Sequence, residues 1–425
     1  MVFDHDRDSR FTDASTLKPA PFYPPLNAVY WALAPFHLSV DEVVYFDYFR
    51  TACTGEFSSY FHASLWKQIV LQAAHMESFI LNAILAIGAL RRSQLVTSPT
   101  TTNILEYCMY KYELASAGLA RTIRSGAADS TLTLLGSLVF LAIEVLLGHE
   151  AGALMHLQSG VAILRSLPRV HKSRKPEKFS PANHITGDLE VIVGSFERLN
   201  FDQDGFIGVH IPNSTPLPSI PSSFKTLSEA TDSLNYILTS VNTFFHHSSQ
   251  PALKTLPLSP LPVAISTHLH ILQTHLQSWH QTFTSLTSSP QLFESPTPTH
   301  YSAQILQINH LIASIKVSAF FHSARSQITI YASHLPTFIQ IFNLTASVVD
   351  FDNQMWKRQR GPCYTLDIAM LKPLRFVVDG CQDKGVRERA IEVMRRVGRE
   401  GGYEREIIKR FGEWGAGRKG EEWEI

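Results

Sequence analysis

Apolar residues recur every three to four positions through most of residues 45–92, YFDYFRTACTGEFSSYFHASLWKQIVLQAAHMESFILNAILAIGALRR. Trp66, Ile69, Val70, Ala73 and Ala74 share one helical face, and Ile80, Leu81, Ile84, Leu85 and Ala89 share another. That period belongs to helices that bury one side and wet the other. His75-Met76-Glu77-Ser78 interrupts it, so the pattern predicts two consecutive helices with a bend between them. Upstream, Ser39 with Glu42 three residues on is a capping-box signature ahead of Val43 to Phe49.

Further along, residues 103–124 predict an amphipathic helix with Leu105, Met109, Tyr112, Leu119 and Ile123 turned inward. Ser130 to Leu147 is apolar nearly all round and predicts a buried helix. Gly148-His149 is a tight connection to the next helix, Glu150 to Leu167, which Pro168 ends. So short a joint predicts that the two lie antiparallel, side by side.

From 211 to 299 the chain turns dense in Ser, Thr, Pro and His. It keeps helical patches at 234–245 and 263–286, and a loose build is expected there. Helical periodicity resumes at 301–349 and at 386–397, where Ala390, Ile391, Met394 and Val397 point inward. A last helix is expected around Tyr403, Ile407, Ile408 and Phe411.

No stretch alternates with period two for long enough to make a sheet. The expected fold is all-α, a bundle-like multi-helix domain. Residues 1–39 form an extended Pro-rich leader and 40–208 the N-terminal half. Residues 209–300 are a variable segment and 301–425 the C-terminal half.

Composition narrows the class. Apolar residues make up 44% and charged residues 17%, so a packed core is expected. Lys+Arg and Asp+Glu both number 37, a balance unlike that of a protein that grips DNA phosphates by itself. DNA is therefore expected as an indirect partner at most. Cys53, Cys108, Cys363 and Cys381 are scattered and form neither a disulfide framework nor a zinc motif. The first residues lack the apolar run of a secretory leader. The run at 132–147 falls short of the roughly 20 residues a bilayer needs and holds Glu144, so no membrane is expected.

Catalytic motifs fail one by one. His149-Glu150 lacks the second histidine a zincin requires four positions after the first. Gln158-Ser159-Gly160 lacks the frame of a nucleophile elbow, and no Gly-rich phosphate loop is present. His268, His270, His275 and His280 crowd one segment, but 268 and 270 fall on opposite sides of a helix and no carboxylate accompanies them. No cofactor or metal is expected.

Glu144, set in VFLAIEVLLG, is the residue that most needs an explanation, because burial favours the neutral acid unless a partner is at hand. It reads as a structural carboxylate tied to the neighbouring helix, with His156 as its candidate partner. The rival reading makes Glu144 and His156 the acid and base of an enzyme on a helical scaffold. The basic stretch at 169–178 offers Lys172, Arg174 and Lys175 as a nuclear-import signal, against an ordinary solvated linker.

Four stretches resemble one family, the regulatory region of fungal-specific transcription factors that often accompanies a binuclear zinc cluster. They are YFDYFR at 45–50 with SSYFHASLWKQIVLQAAHMESFILNAILAIGAL at 58–90, and VFLAIEVLLGHEAGALMHLQSGVAIL at 139–164. SFERLNFDQDGFIG at 195–208 and CYTLDIAMLKPLRFVVDGCQDKGVRERAIEVMRRVGREGGYE at 363–404 complete the set. The resemblance implies a helical, non-enzymatic regulatory domain that acts in the nucleus of a filamentous fungus on genes read by RNA polymerase II. Secondary-metabolite or nutrient-utilisation genes are the usual targets of such regulators. The implied partners are other transcription regulators or a second copy of the chain, with a small-molecule effector as a further expectation. The family's DNA reader needs six closely spaced cysteines, and none precedes Cys53 here, so no residue of this chain is expected to contact DNA directly.

Overall fold

The structure is a computed structural model. It describes residues 38–95 (bar 58–59 and 62–63), 101–167, 189–196 (bar 190), 217–248, 263–288, 297–321, 332–356, 364–365, 370–397 and 399–400. The leader at 1–37, the basic stretch, residues 197–208, Cys363 and the final expected helix lie outside the described residues. The fold is helical. The one strand pair among the described residues is a two-residue parallel contact, Tyr364–Thr365 with Arg399–Glu400.

α1 is Val40–Tyr48, opened by the expected capping box: Ser39 Oγ accepts from the Glu42 amide, and Glu42 accepts from the Ser39 amide. A π-helical turn, Phe49–Cys53, leads into the short α2, Thr54–Phe57. A second π turn, Leu65–Ile69, opens α3, Val70–Met76. Glu77 is extended, which makes the bend before α4, Ser78–Leu95. α5 is Thr101–Arg124 and α6 Ser130–Leu147, with Asp129 capping α6 through the Leu132 amide at 2.7 Å. Gly148 takes the left-handed conformation (φ 75°) that a non-glycine residue adopts only under strain, and it turns the chain into α7, Glu150–Ser166.

These helices and residues 191–196 surround one core, running from Phe46 to Phe196. α4 is its centre. A Cβ built at Gly88 would lie 2.1 Å from the Tyr45 carbonyl oxygen, so α1 crosses α4 at a distance only glycine allows. At Gly118 it would lie 2.8 Å from the Phe79 Cβ, which brings α5 equally close. α6 is buried along its whole middle, from Leu134 to Leu146. It is long and apolar enough for a bilayer, yet its burial marks it as the core helix the sequence predicts.

Of the inward face expected on α5, Leu119 is buried and Tyr112 half-buried as expected, whereas Leu105, Met109 and Ile123 are exposed and the small Cys108 and Ala115 are buried in their stead. The close approach to α4 is made at Gly118, where Phe79 leaves no room for a side chain, and the small Cys108 and Ala115 are buried on the same side.

The second core holds α8 (Leu227–Ser248), α9 (Val263–Thr287), α10 (Pro298–Phe321), α11 (Leu335–Trp356), α12 (Leu371–Gly380) and α13 (Lys384–Arg396). For the described part of 211–299, residues 217–248, 263–288 and 297–299, this corrects the loose build expected there. Leu234, Ile237, Leu272, Leu276 and Trp279 share one buried cluster with Ile308, Phe338 and Leu374. Trp279 also donates its indole N–H to the Ala230 carbonyl at 2.9 Å, tying α9 to α8. The abundant Ser and Thr hid this. Thr231, Thr274, Thr284 and Ser285 return their hydroxyls to carbonyls four residues back, which lets polar residues sit in a helix.

The two cores meet at Tyr60 and Phe61. Phe61 is buried in the second core, the Tyr60 hydroxyl donates to Asp352, and Ser302 Oγ donates to the Tyr60 carbonyl at 3.0 Å.

Among the described residues one ion pair is wholly buried. Arg91 on α4 donates Nε to Glu56 Oε2 at 2.6 Å and a terminal nitrogen to Oε1 at 3.2 Å, with exposures of 1% and 0%. Burial raises the Glu56 carboxyl and the guanidinium opposes that rise. Arg91 Nη1 also donates to Gln94 Oε1, whose amide reaches the Leu146 carbonyl on α6. Removing one charge strands the other away from water. Arg91→Met or Glu56→Gln alone should cost about 3–5 kcal/mol in urea unfolding, while the double replacement Arg91→Met with Glu56→Leu should recover most of it.

Candidate functional site

Three helices converge on Glu144. α6 and α7 run antiparallel, with Glu144 against Gly152 and Phe140 against His156. Gly152 is what admits the carboxylate: a Cβ there would lie 2.5 Å from Glu144 Cδ. From α5, the Tyr112 hydroxyl donates to Glu144 Oε1 at 2.6 Å. Its oxygen lies 3.0 Å from His156 Nε2, and since the phenol proton is already committed, Nε2–H is the donor. His149, at the start of α7, places Nδ1 3.0 Å from Glu144 Oε2. The structure thus brings Glu144 and His156 to one hydroxyl rather than to each other. Tyr112 and His149 are the members sequence reasoning missed. Spacing could have found His149, five residues after Glu144 across a one-turn joint, but nothing local marks Tyr112.

The electrostatics follow from burial. Tyr112 is raised by burial first and then by Glu144 beside it. His156 is lowered by burial, with Glu144 opposing. The rings of Tyr112 and His156 both meet Phe140 edge-on, 5.5 and 5.4 Å between centroids. Each polar atom named here already has a partner, so the cluster is arranged to hold three helices together. Lys172, Arg174 and Lys175 lie outside the described residues.

The histidines of α9 do not converge. His268 stacks on Phe244, His275 bonds the Ile271 carbonyl, and His280 stacks on His310 of α10 at 4.9 Å. Among the described residues no group of three or more metal-ligating side chains comes together. His310 Nε2 faces the Leu276 carbonyl at 3.1 Å, and a carbonyl only accepts, so Nε2 carries the proton and Nδ1 is a bare, buried acceptor.

Residues 44–189, about a third of the chain, match the family model of the fungal specific transcription factor domain, so that stretch is similar to such a domain. This is a family of transcription regulators, typically non-enzymatic, and it suggests a nuclear site of action. The match takes in the first two stretches of the resemblance, while the third and fourth lie beyond it. No curated protein and no solved structure matches the chain.

Two predictions follow from these clusters. Tyr112→Phe leaves Glu144 one donor short and His156 Nε2 without its acceptor, and should cost about 1–3 kcal/mol in urea unfolding. Gly152→Ala should cost a similar amount by driving the carboxylate off its seat.

The second concerns pH. Burial first, then His280, holds His310 at about 4, so its contribution to stability is complete above the unfolded value near 6.5 and is lost as pH falls towards 4. Asp352 is raised to about 6 by burial, with Tyr60 opposing, so its contribution is complete below about pH 4 and is lost as pH rises through 6. The two offset each other across that window. Stability of His310→Gln should therefore fall by about 2 kcal/mol from pH 4 to 6, and that of Asp352→Asn should rise by about as much, in unfolding curves taken across the range.

Proposed function

We propose that this chain regulates transcription by contact with other proteins, and that its attachment to promoters of RNA polymerase II genes passes through a partner that reads DNA. The domain match at 44–189 carries the reading. The charge balance of 37 against 37 supports it, since a chain that gripped DNA phosphates by itself would carry a basic excess. A secondary-metabolite or nutrient-utilisation gene set is the proposed target class.

Two other readings need Glu144 and His156 to be available. A small-molecule effector, or a substrate handled by acid and base, would have to compete with Tyr112 for both groups, and their present bonds favour the protein-contact reading. Chromatin immunoprecipitation of the tagged full chain, in strains with and without candidate zinc-cluster regulators, tests the proposal. Promoter occupancy should vanish when the right partner is deleted. Occupancy that survives every such deletion would rule out recruitment through a partner.

A further inference from the structure

α1 covers only part of the side of α5 against which it lies. Glu42 of α1 meets Lys111 of α5 at 2.5 Å, and Tyr45 meets Tyr107 with ring centroids 5.2 Å apart. Forward along α1 is therefore backward along α5, so the two helices run antiparallel at this seam. Tyr107, Lys111 and Leu114 stand at i, i+4 and i+7, one stripe along α5. The first two are half-buried against α1, whereas Leu114 is 38% exposed. Tyr110, one turn before Leu114 on the same flank, is 58% exposed.

The cover stops where α1 stops. Ser39 caps α1, and Leu38 before it packs half-buried on the first core. In the antiparallel register Leu38, one turn before Glu42, comes level with Leu114. Residues 21–37, PFYPPLNAVYWALAPFH, lead into this point. From Pro19 to Val40 the sequence has no Asp, Glu, Lys or Arg, and it carries the aromatic residues Phe22, Tyr23, Tyr30, Trp31 and Phe36. So apolar a segment gains by leaving water for an apolar surface. Its reach is ample, since 17 residues extend to about 55 Å and a helix of 24 is roughly 36 Å long.

We propose that residues 21–37 continue the α1 seam along α5 and pack their aromatic side chains over Leu114 and Tyr110. Charge favours this occupant. α5 exposes Glu106 and Glu113 in its first half and Arg121 and Arg124 in its last turn, so a strongly charged partner of either sign meets like charge at one end. An uncharged segment is indifferent to both. Its attachment at Leu38 also holds it beside the surface, at an effective concentration in the millimolar range that a separate partner must outcompete. The inference takes nothing from the regulator reading, and promoter occupancy tests that reading separately.

Photo-cross-linking of the full chain, with benzoylphenylalanine in place of Tyr110, tests the proposal. The expected product is a single chain whose position 110 is joined to a peptide from residues 21–37. Ile123 lies about two and a half turns beyond Leu114, on the opposite flank of α5. The same probe in its place should not capture those residues. Chymotrypsin supplies a second readout, because it cleaves after the aromatic residues of the segment. Leu114→Glu should speed that cleavage roughly tenfold by releasing the segment, while Ile123→Glu should leave the rate unchanged. A probe at 110 that captures a second copy, another part of the chain or nothing would overturn the proposal. Equal capture from position 123, or cleavage indifferent to Leu114→Glu, would do the same.

Discussion

The close approach of helices to α4 is the constraint on which the rest of the first core depends. Gly88 lets the Tyr45 carbonyl of α1 lie against it, and Gly118 lets α5 lie against Phe79. A methyl group at either place would collide, so α1 and α5 sit where they do because those two side chains are missing. Three consequences follow. Cys108, Ala115 and Gly118 bring α5 close on its inward side, with Leu119 buried beside them, while Leu105, Met109 and Ile123 are left exposed. The far end of α4 is enclosed well enough to strip water from Arg91, which then requires Glu56. And α5 comes near enough to α6 and α7 for Tyr112 to reach Glu144 and His156.

The first core solves the problem of buried charge in two ways. At Glu56 the answer is a full opposite charge with a forked guanidinium, both groups nearly sealed from solvent. At Glu144 the answer is a phenol and a half-exposed imidazole, with the second imidazole behind the phenol. The ion pair is the costlier arrangement to desolvate and the more damaging to break from one side. The Glu144 group spreads its demand over three helices and needs no net opposite charge. A regulator whose helices must keep their mutual angles is served by such a pin between α5, α6 and α7, whether or not anything binds there.

Much of the fold was legible because local rules and tertiary demands agree. The capping box at Ser39 and Glu42, the bend at Glu77, the buried α6 and the Gly148 turn are each decided within a few residues. Where they disagree, the sequence misleads. Leu105, Met109 and Ile123 have helical period but point outward, because the inward face answers to Phe79 on α4, far away in the chain. The Ser/Thr-rich composition of α8 and α9 suggested a loose segment, because back-bonded hydroxyls look the same in sequence as solvated ones. Of the Glu144 group, Glu144 and His156 stand out in an apolar run. Tyr112 does not, since its role exists only once α5 has docked.

The same reasoning bears on how far the domain assignment reaches. The matched residues, 44–189, nearly coincide with the first core, which runs from Phe46 to Phe196. The second core lies outside the match, yet the first reaches into it through Tyr60 and Phe61, between α2 and the π turn before α3. Burial raises the Asp352 carboxyl to about 6, and the Tyr60 hydroxyl that donates to it opposes the rise, so the junction's hydrogen bond favours the charged carboxylate. α2 also carries Glu56, the partner of Arg91 on α4. The segment that joins the two cores is therefore the one that closes the ion pair in the first. A displacement at the junction must be absorbed by α4, the helix against which α5 and its exposed face are packed.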